Sequence, residues 1–231
     1  MKNLSVILLV VFAWNTVFSQ DCNPYFEIKE GVKATYEYYN GKQKVVSKTT
    51  HYFKNISGSG NNVSGTLVME MIDPKKDELL NTSETKWRCE NGVVYYAMSM
   101  MNVEGVDMAN DAIEVTVTGD EMDIPTSLSP GETLKDVKFN VVVKLSGLTL
   151  MDRNFHVKER TVETKESVTT PAGAFESVKV SYITESAGRN GKASKPQTTS
   201  VWYAKGVGVV KMENYKDEKV YSSQLLTKLE K

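Results

Sequence analysis

What this 231-residue chain has little of narrows its chemistry first. Histidine occurs twice, as His51 and His156, and neither lies near a GxSxG or CxxC sequence. Acyl transfer through a nucleophile and an imidazole base therefore has no motif to rest on. Zinc lacks its signature too, since there is no HExxH and no cluster of His and Cys at ligand spacing. Asp120, Glu121 and Asp123 form a small acidic group, but without the glycine and distal glutamate of a calcium loop they read as a solvated turn. Gly206-Val207-Gly208 misses the third glycine of a dinucleotide fingerprint and runs into Val209-Val210 instead of a helix, which makes it a hairpin turn. No catalytic residue, metal or cofactor is expected, so the chain reads as a non-enzyme.

Charge of one sign is also missing. Removing Lys2 with a leader turns 28 basic residues into 27, against 29 acidic ones, and no basic run exceeds Lys75-Lys76. A nucleic-acid partner, which needs a basic face to displace counterions, is not expected. Long apolar runs are confined to Leu4–Phe18, between Met1-Lys2-Asn3 and Ser19, the layout of a signal peptide over residues 1–19. Ser5, Asn15 and Thr16 interrupt that run, so no membrane span is expected after cleavage. Asp21 is the wrong kind of residue to precede a lipid-modified Cys22. The expectation is a periplasmic or extracellular protein without a lipid anchor.

Two cysteines, Cys22 and Cys89, would reach an oxidising compartment. A disulfide between them is expected, with free thiols or an interchain Cys22 bridge as alternatives.

No segment sustains an apolar i, i+3, i+4, i+7 pattern, so little helix is expected. What is present is alternation. Thr199, Val201 and Tyr203 alternate with Ser200, Trp202 and Ala204, and Lys205-Gly206-Val207-Gly208 turns the chain back. Both faces of this strand are apolar, so it should be covered on two sides. Asn40-Gly41 predicts a two-residue hairpin, and 55–62 a Gly/Ser/Asn loop. Arg153–Glu166 mixes charges of both signs, as a solvated strand with cross-strand ion pairs does. These runs predict one all-β domain over residues 20–231: an antiparallel meander curled into an open or half-closed barrel, with a two-sheet sandwich as the alternative. The Pro- and Gly-punctuated stretch 123–136 marks where two sub-sheets would join.

Tyr95, Tyr96, Met98, Met100, Met101 and Met108 cluster in sequence near an irregular stretch. Adaptable methionine side chains suit the wall of an apolar cavity, and core packing explains them equally well. With Trp202 they are the candidate contacts for a ligand.

Several short stretches resemble the TapB-like group of exported, uncharacterised β-rich proteins of Gram-negative bacteria. They are Cys22-Asn23-Pro24-Tyr25-Phe26, Asp123-Ile124-Pro125, Thr169-Thr170-Pro171-Ala172-Gly173, Trp202-Tyr203-Ala204-Lys205-Gly206-Val207-Gly208 and Leu226-Thr227-Lys228-Leu229. The resemblance implies a β-rich exported domain and carries over no activity. Two functions are expected on these grounds: a module holding an apolar small molecule or lipid in a curved sheet, or an envelope module whose partner is another protein.

Overall fold

Apolar and polar residues alternate between breaks at glycine, proline and asparagine, and each run becomes a strand. The computed structural model describes residues 22–96, 112–188 and 190–231, and among them there are thirteen strands and no helix. They are β1 (Lys33–Asn40), β2 (Val45–Ser59), β3 (Asn62–Ile72), β4 (Leu79–Glu90), β5 (Val93–Tyr96), β6 (Ile113–Gly119), β7 (Met122–Ile124), β8 (Val137–Leu145), β9 (Leu148–Thr170), β10 (Gly173–Gly188), β11 (Gln197–Ala204), β12 (Gly208–Lys216) and β13 (Lys219–Glu230).

All thirteen form one sheet in the order β6-β8-β9-β10-β11-β12-β13-β1-β2-β3-β4-β5-β7. This is the expected curled meander, not closed into a barrel, and the sandwich alternative is not what forms. The edge strands β6 and β7 are consecutive in the chain, separated only by Asp120 and Glu121, so the sheet must roll until its edges nearly meet. The 125–136 connection does not divide the sheet: Leu128 and Leu134 are buried against Tyr25, Val162, Val180, Val201 and Tyr203.

The opposite faces of β11 enter different clusters, as its alternation predicts. Val201 and Tyr203 pack with Ile124, Val178 and Val180, while Trp202 and Ala204 pack with Val168, Val210 and Leu226. The slip of register between Trp202 and Tyr203 lets Val209 and Met212 share the first cluster while Val210 joins the second. Cross-strand pairs hold the charged strand: Lys179 Nζ meets Glu163 at 2.6 Å and Lys158 Nζ meets Glu185 at 2.8 Å. Cys22 is bonded to Cys89 with Cα atoms 6.2 Å apart, in a cluster with Trp87 and Val94.

Two turns differ from expectation. At Asn40-Gly41 the positive φ belongs to Gln43, at 57°, and the hairpin is longer because the Asn40 side chain accepts from the amides of Lys42 and Lys44. Gly41 serves clearance instead, since a Cβ there would lie 3.2 Å from the Tyr221 carbonyl oxygen. Residues 55–62 are mostly strand: β2 bulges between Lys54 and Ser57, then pairs with β3 out to Ser59 and Asn62.

Candidate functional site

The strand register places one aromatic pair at the floor of a cleft. Phe139 on β8 stands opposite Phe155 on β9, and their rings stack at 5.1 Å with planes 8° apart. The same row continues to Gly119 on β6 and Ser186 on β10. Directly opposed residues share a face, so a shallow trough with a phenyl floor crosses four strands. Gly119 is required there: its φ is +120°, and a Cβ would come within 2.8 Å of the Phe139 Cα. Ala187, Ala193 and Pro196 line the far side, and the cleft holds about 740 Å³. On the same face Val137, Val141, Val143 and Val157 form one buried cluster with Phe139, and Phe155 packs against it, which fixes the rings in place.

Among the described residues, most of the polar side chains around this floor are already engaged with neighbours, Thr118 and Lys138 excepted. Arg153 Nη1 donates to Ser186 Oγ at 3.2 Å, and the Ser186 and Ser194 hydroxyls are hydrogen-bonded. Asn140 Nδ2 donates to Asp152 Oδ1 at 2.9 Å, and His156 Nε2 lies 2.9 Å from Asp136 Oδ2. What the cleft offers a guest is therefore apolar contact. The second histidine, His51, is elsewhere: its ring centre lies 4.9 Å from that of buried Tyr36 with the planes tilted by 47°, and its Nε2 is 3.0 Å from Thr49 Oγ1. Burial pushes its pKa down to about 4, which leaves it neutral at pH 7.

The acidic group of the 120–123 stretch is spoken for by cations and an amide, not arranged for a metal. Asp120 Oδ2 accepts from the Lys138 amide at 3.0 Å, Glu121 pairs with Arg88, and Asp123 Oδ1 pairs with Arg160 at 2.5 Å. Among the described residues no cluster of acids, histidines and cysteines suits a metal ion.

Of the residues expected to contact a ligand, Met98, Met100, Met101 and Met108 lie outside the described residues, as does the Tyr96 side chain. Tyr95 stands opposite Arg88, whose guanidinium lies 4.6 Å from its ring centre. Trp202 is buried, donates its indole N–H to Glu166 at 2.6 Å, and has the Lys211 ammonium 4.5 Å from a ring centre. It does not line the Phe139–Phe155 cleft. No local motif marks Phe139 and Phe155, because their pairing depends on the β8/β9 register.

The comparisons with known proteins agree with this architecture. Two solved structures match, each covering 91% of this chain and 100% of the matched chain. One is a Bacteroides fragilis protein, inferred to be exported and of YmcC-like fold, at 22% identity and a TM-score of 0.71. The other is a Parabacteroides distasonis protein inferred to be a lipoprotein, at 21% identity and a TM-score of 0.73. At that identity the likeness concerns the fold. No curated protein matches the sequence. A family model spans residues 29–226, almost the whole sheet from the approach to β1 to the middle of β13, and the chain accordingly belongs to the DUF3108-like family.

Proposed function

We propose that this chain is an exported, non-enzymatic module that holds an apolar, lipid-like ligand against the Phe139–Phe155 floor. The observation that carries the reading is the pairing of a 740 Å³ cleft floored by stacked phenyl rings with a rim most of whose polar side chains are bonded to neighbours. Such a surface rewards apolar contact and offers few free groups for chemistry. Tyr95, Tyr96, Met98, Met100, Met101, Met108 and Trp202 remain proposed as further contacts on the strength of the sequence.

Export is supported by the layout of residues 1–19 and by the descriptions of the two similar structures. A thioether lipid anchor on Cys22 is incompatible with the Cys22–Cys89 disulfide, because the same sulfur would need both bonds. The likeness to the TapB-like group supports the same picture of an exported β-rich domain. A second reading, an envelope module that binds another protein, is favoured by the free edge of β6, which pairs only with β8 among the described residues.

Native mass spectrometry of protein purified from its own cells tests the first reading. Reproducible adducts of lipid mass are expected. Filling the cleft with Ala187→Trp should remove them while the melting temperature holds. Clean apoprotein, or adducts untouched by Ala187→Trp, would refute the reading.

A further inference from the structure

Following the chain through the antiparallel order shows that the connections joining β1 to β2, β3 to β4, β8 to β9, β10 to β11 and β12 to β13 all emerge at one end of the sheet. The six exposed large apolar residues among those described all sit at that end. Val45 and Val46 open β2, Leu79 and Leu80 open β4, and Leu148 and Leu150 open β9. Single exposed leucines are ordinary, but here they recur at strand openings, where turns are normally polar. Consecutive strand residues point to opposite faces, so one member of each adjacent pair cannot serve the core. Leu79 is 60% and Leu148 69% exposed.

The described turns at this end are rich in lysine. Residues 41–46, 73–80, 144–150, 190–196 and 216–219 together carry nine lysines against five carboxylates, with Glu114 standing opposite Lys144, in a chain with a net charge of −1. Apolar side chains on turn tips surrounded by ammonium groups match the boundary of an anionic bilayer, where tails accept the leucines and headgroup phosphates accept the lysines.

We infer that this end of the sheet docks on an anionic lipid leaflet. The inference rests on the exposed strand openings and their lysines, not on the Phe139–Phe155 cleft. Sedimentation with sucrose-loaded vesicles of phosphatidylethanolamine and phosphatidylglycerol, against phosphatidylcholine alone, measures it. Stronger partition onto the anionic vesicles is expected, and it should weaken as salt is raised. The variant L79S/L80S/L148S/L150S should partition about tenfold or more weakly, because four interfacial leucines are lost. Its melting temperature should stay near that of the parent, and Ala187→Trp should partition as the parent does. Failure of the parent to bind anionic vesicles, or equal binding by the four-serine variant, overturns the inference. So does a parent dimer in analytical ultracentrifugation that the four serines dissolve while vesicle binding is absent, since the surface is then a contact between two copies.

Discussion

Replacing Arg160 by methionine should unfasten the 123–136 connection from the sheet. Arg160 is 1% exposed, the one charged side chain among the buried described residues. It sits on β9 where the register with β10 slips between Ser181 and Ile183, next to Glu159 at a φ of 54°. Its guanidinium donates through Nη1 to Asp123 Oδ1 at 2.5 Å and to the Lys135 carbonyl at 2.6 Å, and through Nη2 to the Asp123 carbonyl at 2.6 Å. One side chain thus ties both ends of the connection to β9. Methionine fills similar space but leaves two carbonyls and a carboxylate without their donor. Breaking a buried ion pair costs about 3–5 kcal/mol. Asp123 is 24% exposed and recovers some hydration, so the lower end, about 3 kcal/mol, is expected. At about 2–4 °C per kcal/mol for a domain of this size, the melting temperature should fall by roughly 6–12 °C. Arg160→Lys keeps the charge but not the planar fork, and should lose about 1–2 kcal/mol. Urea unfolding followed by fluorescence of Trp87 and Trp202, completed as a double-mutant cycle with Asp123→Asn, supplies the numbers. A loss below about 1 kcal/mol for Arg160→Met, or strict additivity with Asp123→Asn, would refute the clamp.

Three further outcomes follow from particular contacts. The Cys22–Cys89 bond closes a loop of 67 residues, and its removal by Cys22→Ser/Cys89→Ser should lower stability by roughly 4 kcal/mol on the chain-entropy account, read from the urea midpoint. His51, with its folded pKa lowered to about 4, resists a proton that the unfolded chain takes up near 6.5. Its contribution is therefore full above pH 6.5 and is lost as pH falls towards 4, by at most about 3 kcal/mol, and His51→Gln should flatten that part of the stability-pH curve. Gly119→Ala should cost about 2 kcal/mol or more, because the added Cβ meets the Lys138 carbonyl oxygen at 2.6 Å in a backbone conformation unfavourable to alanine. A melting temperature unchanged by that substitution would contradict the close packing of β6 on β8.

The sequence revealed the parts that local chemistry decides. Period-two alternation located β11, and the Lys205–Gly208 turn and the two-faced burial of that strand followed from residues within ten positions of each other. Turn geometry was less legible where a side chain decides it, as with Asn40 capping two amides and moving the left-handed residue to Gln43. Contacts across the sheet were hidden. Phe139 meets Phe155 only because β8 and β9 pair in one register, and a shift by one residue would send the rings to opposite faces. Arg160 lay in a run of charges that reads as solvated surface, and a slip of register alone turns it inward to Asp123.

The placement of the candidate surfaces follows from the way the sheet rolls. Because β6 and β7 are one short step apart in the chain yet pair with β8 and β5 at opposite edges, the circumference is fixed by where that stretch crosses. Arg88 on β4 holds Glu121 and Arg160 on β9 holds Asp123, so cations from both halves of the sheet grip the crossing. One end of the roll is then filled: the Gly206 amide donates to the Pro24 carbonyl, Cys22 is bonded to Cys89, and Leu128 and Leu134 complete the core. The end where β2, β4 and β9 open has no comparable plug among the described residues, and there the valines and leucines remain exposed. Among the described residues the N-terminal segment and the 125–136 connection both pack at one end, which is why the lysine-rich openings at the other are the place to test for a membrane contact.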